Sequence, residues 1–229
     1  MPISTVAPES NRHAADMADL DFACTGAKPD TAAASPTILL HLHIEETTGA
    51  AVHALVLRCQ IRIAPQRRRY ADAEAEGVRD LFGERARWGD SLNPIQLAFV
   101  NHVVPGFTGS ADIDLSLPCS YDFDVAANKY LYALDEGEVP LVLLFSGTVF
   151  IAGADGLSGI AVQPIPWHKE AAFRMPVQVW KQTMDLHFPG AAWLRLRRET
   201  FDSLHRYRIN QEFVSWDDAI ERLLKESDQ

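Results

Sequence analysis

Cysteine is scarce in this 229-residue chain, which has only Cys24, Cys59 and Cys119. No two of them form a CxxC motif, and an odd, widely spaced set argues against a disulfide framework. Cys59 alternates with Leu57 and Ile61, so it shares the apolar face of a predicted strand. We therefore expect Cys59 to be a buried small hydrophobe rather than a nucleophile.

Basic residues are fewer than acidic ones, and long apolar runs are absent from the sequence. Lys and Arg number 21 against 31 Asp and Glu, which gives a formal net charge of −10. Nucleic-acid binding depends chiefly on clustered basic side chains, so this balance argues against a nucleic-acid partner. No apolar run approaches the roughly 20 residues of a membrane span, and the N-terminus lacks the pattern of a secretory signal. We expect a cytoplasmic protein with no membrane partner.

Complete catalytic motifs are missing as well. Ser146 has no glycine two residues before it, so it does not form a nucleophile elbow. The glycine-rich stretch 153–159 has no following Lys-Ser or Lys-Thr pair, which argues against a phosphate-binding loop. His168 and Glu170 could form an acid–base pair, but a sheet-to-helix junction anchored by Trp167 is the simpler interpretation. These absences favour a protein without catalytic activity and without a cofactor.

Strand patterns are present from residue 20 to residue 165. Residues 140–151 are the most apolar run and predict a buried central strand, with 112–130 and 159–165 as its neighbours. Residues 38–44 and 52–63 alternate apolar and polar side chains, which predicts a hairpin with one wet face. Gly147 in the central run indicates a bulge or a close backbone approach.

Helical patterns occupy two other regions. Residues 66–104 predict a helical insertion, with one helix over 72–82 and a second from Pro94. The period changes after Trp167, which predicts a C-terminal helical part over about 171–226 that packs on the sheet. Residues 1–19 predict a disordered tail. The fold class is therefore α+β: a single domain over 20–229 with an antiparallel β-sandwich-like sheet, the helical insertion and the C-terminal helical segment.

Histidines form the sharpest candidate metal site. His41 and His43 are two residues apart on a predicted strand, so both side chains project from one face, as pairs of zinc ligands do. His53, on the predicted facing strand, could supply a third ligand. A solvent-exposed face without metal is the favoured alternative, because spacing fixes neither metal geometry nor the outer shell.

Four aspartates could collect a hard cation such as calcium, although a solvated acidic face explains them more simply: Asp112, Asp114, Asp122 and Asp124.

The arginines and the tryptophan of the insertion form a candidate partner-binding surface. The arginines are local positive charge on an acidic chain, and arginine suits bidentate contacts with carboxylates. Tryptophan and arginine are also enriched at interface hot spots. The candidate residues are Arg67, Arg68, Arg69, Arg85, Arg87 and Trp88. In the alternative interpretation the arginines pair internally with acidic residues of the same segment, namely Asp72, Glu74, Glu76 and Glu84.

Several long stretches together resemble one known family. They are residues 52–70 (VHALVLRCQIRIAPQRRRY), 104–110 (VPGFTGS) and 117–150, and the motifs Trp180-Lys181 and WLRL at 193–196 fit the same pattern. The resemblance covers residues 20–224 and is to an uncharacterised, mainly actinobacterial family, domain of unknown function 6084. Genes of that family often lie near those of uptake nickel–iron hydrogenases. The resemblance therefore implies an accessory or interaction protein with a protein partner, associated with a nickel–iron hydrogenase system. The alternative is a metal-binding module or a metal-dependent enzyme that uses His41 and His43.

Overall fold

The computed structural model describes residues 17–119, 125–152, 159–191 and 196–227. The chain forms two compact units that divide between Pro189 and Gly190, and each is described by itself. The described part of the first unit contains eight strands. They are β1 (Leu20–Pro29), β2 (Thr37–Glu46), β3 (Val52–Ile63), β4 (Ile95–Phe107), β5 (Ser110–Pro118), β6 (Glu138–Ala152), β7 (Ile160–Pro164) and β8 (Glu170–Pro176).

The strands form two antiparallel sheets around one core. The three-stranded sheet has the order β1-β2-β5, and the five-stranded sheet has the order β4-β3-β6-β7, with β8 also paired to β6. Inward residues of both sheets belong to a single hydrophobic cluster, for example Leu40 of β2 and Leu57 of β3. The ring of Phe22 on β1 stacks on that of Phe145 on β6, with centroids 4.2 Å apart. These features confirm the predicted α+β class and its sandwich-like antiparallel sheets.

The predicted hairpin of residues 38–44 with 52–63 is wrong. β2 pairs with β1 and β5, whereas β3 pairs with β4 and β6, so the connection between them crosses from one sheet to the other. Both strands alternate as predicted because each has one face in the shared core, but alternation does not reveal the neighbouring strand. Glu46 fixes the crossover, since its buried carboxylate accepts hydrogen bonds from the backbone N–H groups of Asp19, Thr48, Gly49 and Ala50.

β6 is the central strand of the five-stranded sheet, as its apolar run predicts. It pairs with β3 along its length, with β7 near one end and with β8 near the other. Gly147 has a φ of +142°, and a Cβ there would lie 2.0 Å from the carbonyl oxygen of Val56. This confirms the predicted close backbone approach. Residues 159–165 include the neighbour β7, but residues 112–118 belong to β5 in the other sheet, so that predicted neighbour is wrong.

The helical insertion ends earlier than the predicted residue 104. It contains α1 (Asp72–Gly77), α2 (Arg79–Phe82) and α3 (Trp88–Ser91), with 3-10 turns at Pro65–Arg67 and Arg85–Arg87. The helix predicted from Pro94 is wrong, because Ile95–Phe107 is β4. A register shift opposite Ile61 and Arg62 interrupts the alternation of β4, which gives its first residues a misleading helical spacing. A further helix, α4 (Val125–Tyr132), precedes β6.

The C-terminal helical part begins later than the predicted residue 171. Glu170–Pro176 is β8, and its residues Ala171 and Met175 face the core. Helix α5 (Val177–His187) begins after Pro176 and buries Trp180. Trp167 does not anchor a sheet-to-helix junction as predicted. It is 92% exposed in the loop between β7 and β8.

Strand β7 buries a polar residue instead of its large apolar residues, and this residue forms hydrogen bonds with the start of the described chain. Ile160 and Val162 are exposed, whereas Gln163 is buried. The side-chain oxygen of Gln163 accepts from the backbone N–H of Ala18 at 3.1 Å, and its amide donates to the carbonyl of Ala18 at 2.7 Å. Residues 17–19 are thus anchored, contrary to the predicted tail over 1–19. The other residues of that tail lie outside the described residues.

The second unit contains α6 (Arg198–Asn210) and α7 (Trp216–Ser227). The Oγ of Ser215 caps α7 by accepting from the N–H of Asp218 at 3.0 Å. The ring of Trp216 lies 5.3 Å from that of Phe201 on α6, and the Arg208 guanidinium lies 4.3 Å from the Trp216 centroid. The predicted packing of these helices on the sheet stays a prediction. Among the described helices, none combines enough length and apolar character to cross a bilayer.

Candidate functional site

Two histidine–aspartate pairs lie side by side on the outer face of the three-stranded sheet. His41 and His43 alternate with core residues of β2, so both point away from the core as predicted. The register of β2 and β5 places Asp114 opposite His41 and Asp112 opposite His43. The Nδ1 of His43 lies 2.7 Å from a carboxylate oxygen of Asp112, and the Nδ1 of His41 contacts the carboxylate of Asp114 in the same way. The sheet thus builds two imidazole–carboxylate pairs on one face, with the inward pair Leu42 and Ile113 between them along the strands.

These contacts determine which ring nitrogen is free. An ionised carboxylate only accepts hydrogen bonds, so the Nδ1 of each imidazole carries the hydrogen. In a neutral imidazole the Nε2 is then an unprotonated acceptor. The His41 ring lies over Gly26 of β1, where an added Cβ would come within 3.2 Å of its Cδ2. His41, Asp112 and Asp114 line an open depression of about 280 Å³.

The third predicted ligand does not join this site. His53 is exposed on β3, in the five-stranded sheet. Asp122 and Asp124, named as candidates for a hard cation, lie outside the described residues. Within the parts of the chain that the structure describes, no group of three or more His, Cys, Asp or Glu could hold a metal ion. What the fold brings together is therefore two histidines with a carboxylate behind each.

Arg68, predicted to lie on the partner-binding surface, is an internal residue. Its side chain is 7% exposed and pairs with the equally buried carboxylate of Glu74. Its guanidinium also donates to the carbonyl oxygens of Glu136 and Glu138, at 2.6 and 2.7 Å. Burial raises the pKa of Glu74, but hydrogen bonds from two backbone N–H groups and the charge of Arg68 outweigh it and lower the pKa overall. The alternative of internal pairing is thus correct for Arg68, and its assignment to an exposed surface is wrong.

The other arginines of that candidate surface divide into paired and unpaired residues. Arg85 donates to the carboxylate of Asp72 and to the carbonyl of Tyr70, both at 2.7 Å. Its guanidinium also lies 5.6 Å from the ring centroid of Trp88, which is half-buried. Three arginines are exposed and have side chains without an ion pair among the described residues: Arg67, Arg69 and Arg87. The surface left for a partner is therefore smaller than the sequence pattern indicates.

The three cysteines are free thiols with suppressed reactivity. Burial raises the pKa of Cys59 and of Cys119 to about 12, and that of Cys24 to about 11. A thiol must ionise to act as a nucleophile, so these side chains are protonated and inert near neutral pH. This confirms the expectation that Cys59 is a buried small hydrophobe.

Sequence reasoning missed the apolar outer face of the five-stranded sheet. The register places Val56 of β3 between Val103 and Thr148, with Pro164 beyond them. The next row toward the β2–β3 crossover contains Pro105, Ala54, Phe150 and Val162. Five large apolar side chains of this outer face are 46 to 66% exposed: Val56, Val103, Ile160 and Val162 lie on or beside these rows, and Phe99 lies beyond the intervening polar row of Asn101, Arg58 and Ser146. We call this set the sheet patch.

Positive charge borders the sheet patch. Arg58 and Arg62 point outward from β3, and the Arg58 guanidinium lies 4.8 Å from the ring centroid of Phe99. Farther along the same outer face, β8 adds Glu170 and Arg174, and Arg174 pairs with Glu138 of β6 at 3.8 Å. Arg58 and Arg62 are therefore the unpaired basic residues beside the patch among the described residues, on a chain whose formal net charge is −10.

The fold defines an α+β protein of two antiparallel sheets with helical additions. The chain belongs to the family of unknown function DUF6084, whose model matches residues 17–229. A search among curated proteins gives no match for this chain.

Proposed function

We propose that this protein is a non-catalytic interaction protein and that the sheet patch is its docking surface. The observation that supports the proposal is the pair of neighbouring apolar rows on the outer face of the five-stranded sheet. Exposed apolar surface that is contiguous and bordered by polar side chains is typical of protein–protein interfaces. The outer face of an antiparallel sheet is ordinarily polar, so folding alone does not require these side chains.

The occupant that we propose is a different protein whose docking surface combines aliphatic side chains with carboxylates. Arg58 and Arg62 lie on the outer face that carries the sheet patch, and arginine pairs with carboxylates in bidentate geometry. A second copy of the chain docked through the same face would instead bring like charges together. A component of a nickel–iron hydrogenase system is the first partner to test, because of the gene neighbourhood of the family.

Trp167 is a further anchor for the partner in this proposal. Its side chain is 92% exposed in the loop that joins the two strands flanking β6. Tryptophan is strongly enriched among the residues that dominate binding energy. Exposing so large an apolar ring to water is unfavourable, and a partner that covers it would remove that cost.

Site-specific photo-crosslinking in the native host tests the docking surface. A photoreactive amino acid at Phe99 or at Val162 probes two sides of the sheet patch, and one at exposed Ser116 on β5 is the matched control on the other sheet. We expect both patch positions, and not Ser116, to capture the same protein. With that protein purified, Arg58→Glu should weaken binding, and added salt should weaken the wild-type complex.

Three outcomes of this experiment would contradict the proposal. Cross-links between copies of this chain would assign the sheet patch to self-association. Equal capture from Ser116 would show that contact is not confined to the patch. Absence of any specific product from both patch positions would remove the docking role.

A further inference from the structure

We propose that His41 and His43 together bind one divalent transition metal ion of the kind that prefers imidazole, such as Zn²⁺, through their Nε2 atoms. The proposal is independent of the docking role of the sheet patch, because it concerns the outer face of the other sheet. It rests on the placement of both rings, on the carboxylate behind each ring and on the exposure of the pair.

The backbone of β2 sets the spacing of the two ligands. Residues two apart on a strand project from the same face, and histidines at this spacing can bind one metal ion. Their side chains are 35% and 36% exposed, so an aqueous ion can reach them. His41 contacts the Asp114 carboxylate through its Nδ1. This contact reduces the freedom that the ring would otherwise lose on binding an ion.

The two aspartates act as orienting groups rather than as ligands. Each carboxylate accepts the Nδ1–H of its histidine and leaves the Nε2 lone pair for a metal. Metal-binding histidines characteristically donate their second N–H to a carboxylate, which fixes the tautomer and raises the basicity of the ligand nitrogen. Asp112 and Asp114 also supply negative charge near the bound cation, and Lys28, whose Nζ lies 3.9 Å from the Asp114 carboxylate, offsets part of it.

The chain itself contributes two metal ligands, and water completes the coordination. This is consistent with the finding that no described group of three or more residues could hold a metal ion. The chemistry of the donor set selects the metal, since imidazole suits Zn²⁺ and Cu²⁺ whereas Mg²⁺ prefers oxygen ligands. A site formed by the carboxylates alone would instead prefer Mg²⁺ to Zn²⁺.

Titration of the tag-free full-length protein with Zn²⁺ alone, followed by calorimetry, tests the site. We expect saturable binding of one ion per chain, and its loss in His41→Asn and in His43→Asn. His53→Asn is the matched control and should bind normally, since His53 is an exposed histidine on the other sheet. Asp112→Asn and Asp114→Asn should each weaken binding by about 10-fold or more, as loss of an orienting carboxylate does. Unchanged thermal melting would show that the variants are folded.

The ring nitrogens themselves provide a second readout. Nitrogen NMR of the labelled protein should show Zn²⁺-dependent shifts at the Nε2 of His41 and His43, with the Nδ1–H signals retained. Three results would overturn the proposal: the absence of saturable binding, unchanged binding in the His41 and His43 variants, or displacement of Zn²⁺ by Mg²⁺. Unaltered affinity in both aspartate variants would also overturn it, because the carboxylates would then have no orienting role.

Discussion

The outer faces of the two sheets differ sharply, although their inner faces share one core. The three-stranded sheet presents paired histidines and aspartates, whereas the five-stranded sheet presents the sheet patch and arginines. The inner faces must both be apolar because they pack in the same cluster. The outer faces are under no such requirement, so their contrast is the basis of the two binding sites that we propose.

The largest expected effect comes from a glycine that belongs to the five-stranded sheet. Gly147→Ala should destabilise the protein by about 4 kcal/mol or more, because the new Cβ would combine an unfavourable φ with a backbone clash. The clash is with the Val56 carbonyl oxygen, 2.0 Å from an ideal Cβ. Urea unfolding followed by circular dichroism measures the change.

Gly26 is the matched glycine in the three-stranded sheet. There the nearest atom to a new Cβ is the side-chain Cδ2 of His41, at 3.2 Å, and a side chain can move. Gly26→Ala should therefore cost less than about 1 kcal/mol. Equal destabilisation by the two substitutions would show that the close approach at Gly147 is misplaced.

The second prediction compares the loss of a buried arginine with the loss of an exposed one. Arg68→Ala should destabilise the protein by about 3 to 4 kcal/mol, because it leaves the buried carboxylate of Glu74 without its partner. Arg58→Ala, on the exposed border of the sheet patch, should change stability by no more than about 0.5 kcal/mol. Denaturant unfolding of both variants gives the comparison. A similar loss in the two variants would mean that Arg58 is also a structural residue.

The amino-acid pattern predicts inner faces well and strand neighbours poorly. Residues 38–44 and 52–63 have the predicted buried faces because burial imposes the alternation. The same alternation would arise in a hairpin or in two separate sheets, so it could not show that β2 pairs with β5. Strand β4 escaped prediction because a register shift opposite Ile61 and Arg62 breaks its period.

Both candidate sites depend on neighbours that the chain order does not reveal. The directions of His41 and His43 follow from alternation, but their aspartates are about 70 residues away and meet them only because β5 lies beside β2. The sheet patch collects one or two apolar residues from each of several strands. Within any single strand those residues resemble ordinary surface positions.

A third, smaller effect is expected where the chain passes from one sheet to the other. Burial raises the pKa of Glu46, but hydrogen bonds from the Thr48 hydroxyl and from backbone N–H groups outweigh it and lower the pKa below the ordinary 4.5. A lowered pKa in the folded state stabilises the fold above the unfolded pKa, and the stabilisation is lost as pH falls through the folded value. Glu46→Gln should therefore cost about 2 kcal/mol at pH 7 and less below pH 4.5.

The control for this prediction is the adjacent, exposed Glu45. Glu45→Gln should change stability little at any pH, because its carboxylate is on the outer face of β2. Urea unfolding at pH 7 and near pH 3 compares the two variants with the wild-type protein. A Glu46→Gln deficit that stays constant with pH would show that the ionised carboxylate does not stabilise the crossover.

A substitution within the sheet patch itself should have only a small effect on stability. Val103→Asp should change the free energy of unfolding by at most about 1 kcal/mol, the span of strand propensities at a surface position. Val103 is 66% exposed on β4, so its substitution leaves the core intact. Differential scanning fluorimetry with the wild-type protein as reference checks this. A large loss of stability would mean that Val103 contributes to folding rather than to docking.

The most direct test of the central claim is the affinity of the cross-linked partner for variants of the two faces. We predict that Val103→Asp and Val162→Asp, on the five-stranded sheet, each weaken binding by about tenfold or more. The double variant His41→Asn, His43→Asn, on the three-stranded sheet, should bind the partner as the wild-type protein does. Full affinity in both valine variants, or loss of affinity in the histidine variant alone, would contradict the assignment of docking to the five-stranded sheet.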